Sequence, residues 1–328
     1  MRKYILLLFA VVALFVLSLI HGSVAIPCRD VWAVLTGAKP EMESWRYIIF
    51  DSRLPQALTA LLAGGALSVS GLLLQTAFRN PLAAPDIFGV TSGASLAVAL
   101  LTLAPAFAVG TTLGYLSSVA VAFVGAIAVT GIIVMFSRLV RSSVILIIIG
   151  IMTGYLCSSI ITLLNFFATE EGVKSFAVWG MGNFNNVSMG QMPLFASITI
   201  LATASTLLLV KPLNAMLLGP RYAENLGFNV RRTRNLLLVV TGLLTAVVTA
   251  FCRPISFLAL AVPHIARLIL RTQNHRQLLP VTLLTGSAIA LLCNVLTSIP
   301  GENGILPLNA VTPIVGAPVI IYVLLRRQ

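Results

Sequence analysis

The chain has 328 residues, of which 58% are hydrophobic and only 9% carry a charge. So few polar side chains cannot cover the surface of a soluble globule of this length, and the composition therefore excludes one. The formal net charge of +12 comes from 21 basic and 9 acidic residues. In so apolar a chain we attribute this excess to membrane topology, and we expect membrane lipid and no nucleic acid among the partners.

Apolar stretches long enough to cross the hydrocarbon core as helices recur along the whole chain. The predicted fold is therefore an all-α polytopic membrane protein with about ten transmembrane helices. The weakest of them is 255–271, which is short and contains Pro263. The predicted spans are residues 4–21, 54–76, 87–104, 114–136, 143–166, 193–210, 235–252, 255–271, 278–297 and 306–325.

The charges predict an orientation for these spans. If the N-terminus lies inside, 15 of the 21 basic residues fall in inner segments and 7 of the 9 acids fall in outer loops. Lys and Arg accumulate in cytoplasmic loops, so the N- and C-termini are predicted to be cytoplasmic. A signal peptide cleaved near Ala25 is an alternative for the first span and would leave the remaining orientation unchanged. The long apolar core from Tyr4 to Ile20 favours an uncleaved helix.

The predicted spans lack the residues that carry chemistry in many membrane proteins. No Asp, Glu, Lys or Arg lies deep within a span, whereas ion-coupled carriers and proton relays need intramembrane charge. The four cysteines and three histidines lack metal-site spacing, and the chain has no phosphate loop for ATP. We therefore expect no enzyme activity, no bound metal or cofactor, and an energy source outside the chain. An ion-coupled carrier or an intramembrane enzyme is the alternative from a different class.

Residues 211–234 form a long basic interruption between two apolar spans, and glycine and proline punctuate it. Pro220 suits the first turn of a short helix, and Gly227 suits its C-terminal stop. We predict a short amphipathic helix along the cytoplasmic face. Arg221 and Glu224 lie three residues apart, so a simple surface pair between them is the alternative to a docking role.

Four stretches resemble those of one known family. Arg-Leu-Pro at 53–55 enters a glycine-rich helix, and 80–90 reads Asn-Pro-Leu-Ala-Ala-Pro-Asp-Ile-Phe-Gly-Val. The segment 218–227 is similar to the family's coupling segment, and 254–267 contains Pro-Ile-Ser-Phe followed by Val-Pro-His. On these residues the chain resembles the FecCD/BtuC family, the permease subunits of type II ATP-binding-cassette importers for ferric siderophores, haem and cobalamin.

The resemblance implies a BtuC-like homodimer in the inner (cytoplasmic) membrane, with residues 1–328 forming a single transmembrane permease domain. Two cytoplasmic ATPase subunits would bind ATP and magnesium, and an extracytoplasmic binding protein would deliver the substrate. That substrate would be a ferric siderophore or related metal chelate moved by alternating access, with haem or cobalamin as the alternative. The residues implied to couple to the ATPase are Pro220, Arg221, Glu224, Asn225 and Gly227.

The resemblance also implies how the binding protein docks. Arg53 matches the first arginine of an outer family motif that receives acidic residues of the binding protein. The second arginine of that motif is Gln56 here, and an aspartate and an arginine of the ninth helix are Asn294 and Ser298. Arg253 stands where glycine is usual and would supply a substitute positive charge. We therefore expect docking through Arg53 and Arg253, only partly as in the family.

By the same resemblance the translocation path follows the fifth span, the outer loop 167–192 and the approach to the tenth span. Trp179 and Phe184 are equally candidates for an aromatic belt at the membrane interface. No iron ligand is expected, because the metal travels already chelated. The candidates for lining or gating the path are Phe166, Phe167, Trp179, Met181, Asn183 and Phe184.

Overall fold

A computed structural model describes residues 2–103, 115–140, 142–299 and 304–325. Within these residues the chain forms fifteen α-helices and no strand. A π-helical turn, Ile48–Arg53, joins α3 to α4, and a 3-10 turn, Thr206–Leu209, joins α9 to α10. The helices are α1 (Arg2–Ile20), α2 (Cys28–Leu35), α3 (Glu43–Tyr47), α4 (Leu54–Ala77), α5 (Val90–Leu103), α6 (Tyr115–Leu139), α7 (Ser143–Phe167), α8 (Glu170–Gly180), α9 (Met192–Ser205), α10 (Val210–Leu217), α11 (Pro220–Asn225), α12 (Val230–Cys252), α13 (Leu258–Leu270), α14 (His275–Thr297) and α15 (Leu308–Leu325).

Seven helical stretches in the described part of the chain are long and apolar enough to cross a membrane. Three shorter apolar helices, Val90–Leu103, Leu258–Leu270 and Leu308–Tyr322, coincide with further predicted spans. The all-helical membrane fold is therefore confirmed, while the number of crossings stays a prediction. The predicted span boundaries at residues 104 and 114 lie outside the described residues.

The second predicted span coincides with α4, but the helical stretch that contains it begins earlier. Glu43–Ala77 is one continuous helical stretch of 35 residues, where the sequence predicted 54–76. The π-helical turn ends two residues before Pro55. Proline has no N–H to donate to the preceding turn, so it is tolerated at this change of helical geometry.

Helix α4 lies at the centre of the subunit, and glycines let the neighbouring helices approach it closely. In its apolar window 83% of the residues are buried. A Cβ on Gly71 would lie 1.7 Å from the carbonyl oxygen of Ala259 in α13, and one on Gly64 would lie 2.5 Å from that of Gly286 in α14. Only glycine fits at either crossing, as is usual where membrane helices pack backbone to backbone. Helices α12, α13 and α14 all pack against α4, and α13 and α14 do so at these glycines.

Helices α1 and α7 are the least buried of the long apolar helices. In each, only 17% of the apolar window lies inside the subunit. Helix α1 packs chiefly on α14, and α7 packs chiefly on α5. Most side chains of both helices therefore face the surroundings of the subunit, which are lipid, water or another chain.

One end of the bundle collects the basic residues. Lys3 Nζ donates to the carbonyl oxygen of Ile269 at 2.6 Å, so the start of α1 lies beside the end of α13. Asn214 Nδ2 donates to Asn274 Oδ1 at 3.0 Å, so the end of α10 lies beside the start of α14. We call this the basic end and the opposite one the α8 end. The basic end carries Arg2, Lys3, Arg79, Arg138, Lys211, Arg221, Arg231, Arg232, Arg234, Arg267, Arg271 and Arg276.

Candidate coupling surface and translocation path

Helix α11 forms where the sequence predicted a short helix. It runs from Pro220 to Asn225, with the proline in its first turn. Beyond it Gly227 has a φ of 85°. The Gly227 N–H donates to the Glu224 carbonyl at 2.9 Å, and the next residue's N–H donates to the Ala223 carbonyl at 3.0 Å. These two bonds form a Schellman motif, which confirms the predicted helix stop.

Helix α11 buries one side chain and exposes the others. Ala223 is fully buried and seats the helix against the bundle. Arg221, Glu224 and Asn225 are exposed. The large side chains of Tyr222, between Arg221 and Glu224, and of Leu226, directly after Asn225, are exposed as well. Charged, polar and apolar groups therefore lie together on one small protruding helix, a mixture that suits a protein interface.

Buried polar contacts tie the segment before α11 to the core. His275, at the start of α14, has its Nδ1 2.9 Å from Asn214 Oδ1 in α10 and its Nε2 2.8 Å from Thr76 Oγ1 in α4. Asn214 Oδ1 also accepts the backbone N–H of His275 at 2.8 Å. An amide oxygen only accepts, so Nδ1 carries the proton. The unprotonated Nε2 of the neutral imidazole faces the Thr76 hydroxyl, which also lies 3.0 Å from the Leu72 carbonyl oxygen. A displacement of α10 and α11 would therefore act directly on α4 and α14.

The other histidine and cysteine side chains of the described region do not form a cluster that could hold a metal ion. His264 Nε2 lies 2.9 Å from the carbonyl oxygen of Pro81. Cys157, Cys252 and Cys293 are buried thiols, and Cys28 is exposed. Among the described residues, no group of three or more His, Cys, Asp or Glu side chains could hold a metal ion.

Arg53 is not displayed at the surface, where docking was predicted. The side chain is only 4% exposed. Its guanidinium donates to the carbonyl oxygens of Leu19 at 2.8 Å and Ile20 at 2.7 Å, and also to that of Val24. The last carbonyls of a helix have no partners within it, so Arg53 acts as a cap for α1. In this structure its role is to hold α1 against the start of α4.

Arg253 is half-buried at the α8 end, directly after α12. Its φ of 67° is a left-handed conformation, which accounts for glycine being the usual residue there in the resembling family. Its Nη1 donates to the Val178 carbonyl of α8 at 2.9 Å. Next to it, the Cys252 carbonyl accepts the N–H of Asn183 at 3.1 Å, so the half-buried Asn183 and Arg253 lie on one junction of α8 and α12.

The other path candidates separate into two groups. Phe166 and Phe167, at the end of α7, are 81% and 71% exposed, and Met181 is also exposed. The two phenylalanine rings meet edge to face, with centroids 5.1 Å apart. Trp179 and Phe184 are instead buried within the subunit. The structure therefore leaves the first group available to line a path and gives the second group a packing position.

Sequence reasoning missed a polar face on α7. Tyr155, Ser159, Thr162 and Phe166 follow one another at intervals of four, three and four residues, and all four are exposed. This spacing puts them on one side of the helix. We call the three hydroxyl-bearing residues the hydroxyl face. Its signal was present in the sequence as polar residues at helical spacing within an apolar span.

Asn309 was missed as well. Its Oδ1 accepts the Ser256 N–H at 3.0 Å, and its Nδ2 donates to the carbonyls of Gly180 at 3.0 Å and Pro254 at 2.8 Å. Its own N–H donates to the Met181 carbonyl at 3.1 Å. Asn309 thus joins α15 to the loop after α8 and to the link between α12 and α13. No local pattern marks it, because its side-chain partners lie 53 to 129 residues away in sequence.

The comparisons with known proteins agree with this architecture. The FecCD transport family model matches residues 8–326. The hemin transport system permease protein HmuU of Yersinia pestis is 30% identical over 329 residues, which cover 100% of this chain and 96% of that protein. The vitamin B12 import system permease protein BtuC of Serratia proteamaculans is 33% identical over 330 residues, with 99% and 93% covered.

A solved structure supports the same assignment. It shows an inward-facing transporter assigned to the metal-chelate ABC type, and it matches with a TM-score of 0.86 and 27% identity over 99% of both chains. The family match spans nearly the whole chain, and both named relatives are permeases. This chain therefore belongs to the FecCD transport family and is a permease subunit of an ATP-binding-cassette importer.

Proposed function

We propose that this permease moves a metal chelate across the cytoplasmic membrane by alternating access, as a homodimer driven by two ATPase subunits. The observation that carries the proposal is α11, an exposed helix bounded by Pro220 and Gly227. It packs on α10, which contacts α14 and α4 through Asn214 and His275. The cargo is a ferric siderophore or a related chelate. Haem and cobalamin are the second candidates, favoured by the names of the two relatives.

The basic end faces the cytoplasm in this proposal. Its many arginines support that orientation, because positive residues are retained on the cytoplasmic side. The start of α1 lies at this end, and the C-terminus would return to it after ten crossings. The α8 end then faces outward, where the binding protein delivers the chelate.

The ATPase subunits, which hold the ATP and magnesium, dock on α11. Arg221, Glu224 and Asn225 are exposed and available for that contact. Closure of the two ATPases on ATP would displace α11, and the contacts of Asn214 with His275 and of His275 with Thr76 would pass the displacement to α14 and α4. Packed helices respond to such a push by tilting as rigid bodies.

The translocation path runs along α7, between the two copies of the chain. The hydroxyl face and Phe166 support this, because hydroxyls exposed on a weakly buried helix suit a water-filled path or a second copy better than lipid. Met181 and Asn183 would lie near its outer entrance. The chelate brings its own metal ligands, so the path needs none.

Docking of the binding protein is proposed to involve Arg253, which is half-buried at the α8 end. Arg53 contributes only indirectly, because its guanidinium is engaged with the end of α1. Charge pairs at such a rim chiefly set orientation and encounter rate.

Uptake into proteoliposomes tests this function. The permease, its ATPase and its binding protein are reconstituted, and ferric siderophores, haem and cobalamin are offered with ATP. ATP-dependent uptake of one class identifies the cargo. Uptake that follows an ion gradient and needs no ATP would instead support an ion-coupled carrier.

Crosslinking tests the coupling step. In a background without other reactive cysteines, Arg221→Cys is expected to crosslink to the ATPase in a nucleotide-dependent way. Arg232→Cys is the control, since Arg232 is also exposed at the basic end but belongs to α12. Equal crosslinking of both variants, or none of Arg221→Cys, would contradict docking on α11.

A further inference from the structure

A cavity of about 450 Å³ lies behind α11 at the basic end. Its walls come from the end of α4 and the turn after it, from α10 and α11, and from the starts of α7 and α12. Charged residues from three of these elements line it. They are Arg79 after α4, Glu224 in α11, and Arg231 and Arg234 in α12. Three arginines therefore line this partly open cavity together with one carboxylate.

One of the three arginines is held in place by the backbone, and the other two lie beside it. Arg234 is 6% exposed, and its Nη2 donates to the carbonyls of Ser137 at 2.8 Å and Val140 at 2.9 Å, which fixes it to the end of α6. Arg231 lies one turn earlier on α12 and therefore on the same side of the helix. Arg79 has a left-handed φ of 48°, and its Nη1 lies 3.9 Å from the position that a Cβ on Gly219 would take, beside the start of α11. Topology explains why arginines are at this end, but it does not explain their convergence on a cavity.

The helices add to the positive potential. Ser143 and Val230, which also line the cavity, are the first residues of α7 and α12, helices of 25 and 23 residues. The start of a long helix carries a partial positive charge from its unpaired N–H groups. Two such starts and three arginines thus line one space, and among the described residues of its lining only Glu224 is acidic.

We propose that this cavity binds a phosphate group. Guanidinium forks donate paired hydrogen bonds to phosphate oxygens, and helix starts favour the same ligand. The phosphate belongs either to an anionic phospholipid headgroup, since the ends of α4 and α6 place the cavity at the membrane boundary, or to a free phosphate compound. Bound phosphate would offset the repulsion among the arginines and steady α11, which forms one wall.

This binding site is separate from the proposed import function. It needs neither an ATPase nor a cargo, so it is measured on the purified full-length chain alone. A negative result would leave import untouched, and a failed uptake experiment would leave the phosphate site untouched.

The experiment follows the thermal unfolding midpoint of the chain in uncharged detergent at low salt. The probes are short-chain phosphatidylglycerol, inorganic phosphate, and a diacylglycerol with the same tails and no phosphate. A ligand that binds only the folded state raises the midpoint as its concentration rises. Stabilisation by phosphatidylglycerol alone identifies a lipid headgroup. Stabilisation by inorganic phosphate as well identifies a soluble phosphate compound.

Substitutions test whether the stabilisation by phosphate depends on the arginines that line the cavity. Arg79→Gln and Arg231→Gln, both at exposed positions, are each expected to raise the half-saturating concentration about tenfold, the equivalent of one charge-assisted pair. Arg231→Lys keeps the charge but loses the planar fork, so its binding should lie between that of the unchanged chain and that of Arg231→Gln. Arg232→Gln removes the neighbouring exposed arginine, which does not line the cavity, and should leave binding unchanged.

Two outcomes would overturn the proposal. One is a midpoint that responds equally to phosphatidylglycerol and to diacylglycerol, with no response to inorganic phosphate. The other is an equal loss of binding in Arg231→Gln and Arg232→Gln, which would indicate general attraction to a basic surface.

Discussion

Gln56 Nε2 donates a hydrogen bond to Asn294 Oδ1 at 2.7 Å and so joins the start of α4 to the last turns of α14. Asn294 is 5% exposed. The family resemblance places an arginine at the first of these positions and an aspartate at the second. Both charges are therefore replaced together by a neutral pair that keeps the donor on α4 and the acceptor on α14. Two departures that look independent in the sequence form one contact in the structure.

A charged residue introduced on one side only should be destabilising. Gln56→Arg or Asn294→Asp alone would leave a charge without its partner in a largely buried place, which costs about 3 kcal/mol. The double substitution Gln56→Arg/Asn294→Asp should recover most of that loss. Reversible unfolding of the four proteins in mixed micelles gives the interaction energy. Additive effects of the two single changes would contradict this direct coupling.

Arg53 is expected to matter for stability rather than for docking. Arg53→Gln would leave the carbonyls of Leu19 and Ile20 without their charged donor, at a cost of about 2–3 kcal/mol. The thermal unfolding midpoint of the purified chain should fall, while Arg46→Gln, an exposed position in α3, should leave it unchanged. If Arg53→Gln kept normal stability but bound the binding protein more weakly, the result would support a docking role for Arg53 instead.

The crossing of α4 and α13 should not tolerate a methyl group. Gly71→Ala would place a Cβ against the Ala259 carbonyl and force the helices apart, at a cost of about 3 kcal/mol. Gly131→Ala is the matched control, because nothing lies within 4 Å of its Cβ position in α6. It should be neutral or stabilising by up to about 1 kcal/mol, since alanine favours helix. Yield and melting temperature in detergent distinguish the two, and similar behaviour of both would argue against this crossing.

The stop of α11 depends on backbone conformation alone. Gly227 has a φ of 85°, and no atom lies within 4 Å of its Cβ position, so a side chain there meets strain but no clash. Gly227→Val should reduce ATP-dependent uptake markedly, whereas Gly227→Asn should retain more, because asparagine enters the left-handed region more readily. Equal uptake by the two variants would show that transport does not depend on where α11 ends.

Cys28 provides a test of orientation that needs no added cysteine. It is exposed in α2, whereas Cys157, Cys252 and Cys293 are buried. A membrane-impermeant maleimide applied to intact cells or spheroplasts should label the chain once, and Cys28→Ser should abolish the labelling. Labelling that requires opened membranes would place the α8 end in the cytoplasm and reverse the proposed topology.

Local properties made much of the fold predictable. Seven predicted spans coincide with long apolar helices and three with shorter ones, because apolar length is read directly from consecutive residues. The bounds of α11 followed from the fixed φ of proline and the freedom of glycine. The second predicted span, 54–76, coincides with α4, while the polar residues at 43–53 continue the helical stretch beyond its apolar part.

The candidate site was predictable only in part. The exposed position of Arg221, Glu224 and Asn225 agrees with the docking role expected of them, which stays a prediction. Arg53, Trp179 and Phe184 were expected at working surfaces and are buried. The sequence shows that a residue is basic or aromatic, but burial depends on which other helices pack against it.

The sequence by itself determined that this is a helical membrane protein of the importer type, where its apolar helices lie, and where the short helix α11 begins and ends. These features rest on interactions within about twenty residues, the length of one membrane crossing. The tertiary structure alone decided what Arg53 binds, that Gln56 meets Asn294 across 238 residues, and that three arginines surround one cavity. Such contacts depend on how helices cross, and the packing of distant small residues such as Gly64 and Gly71 sets those crossings.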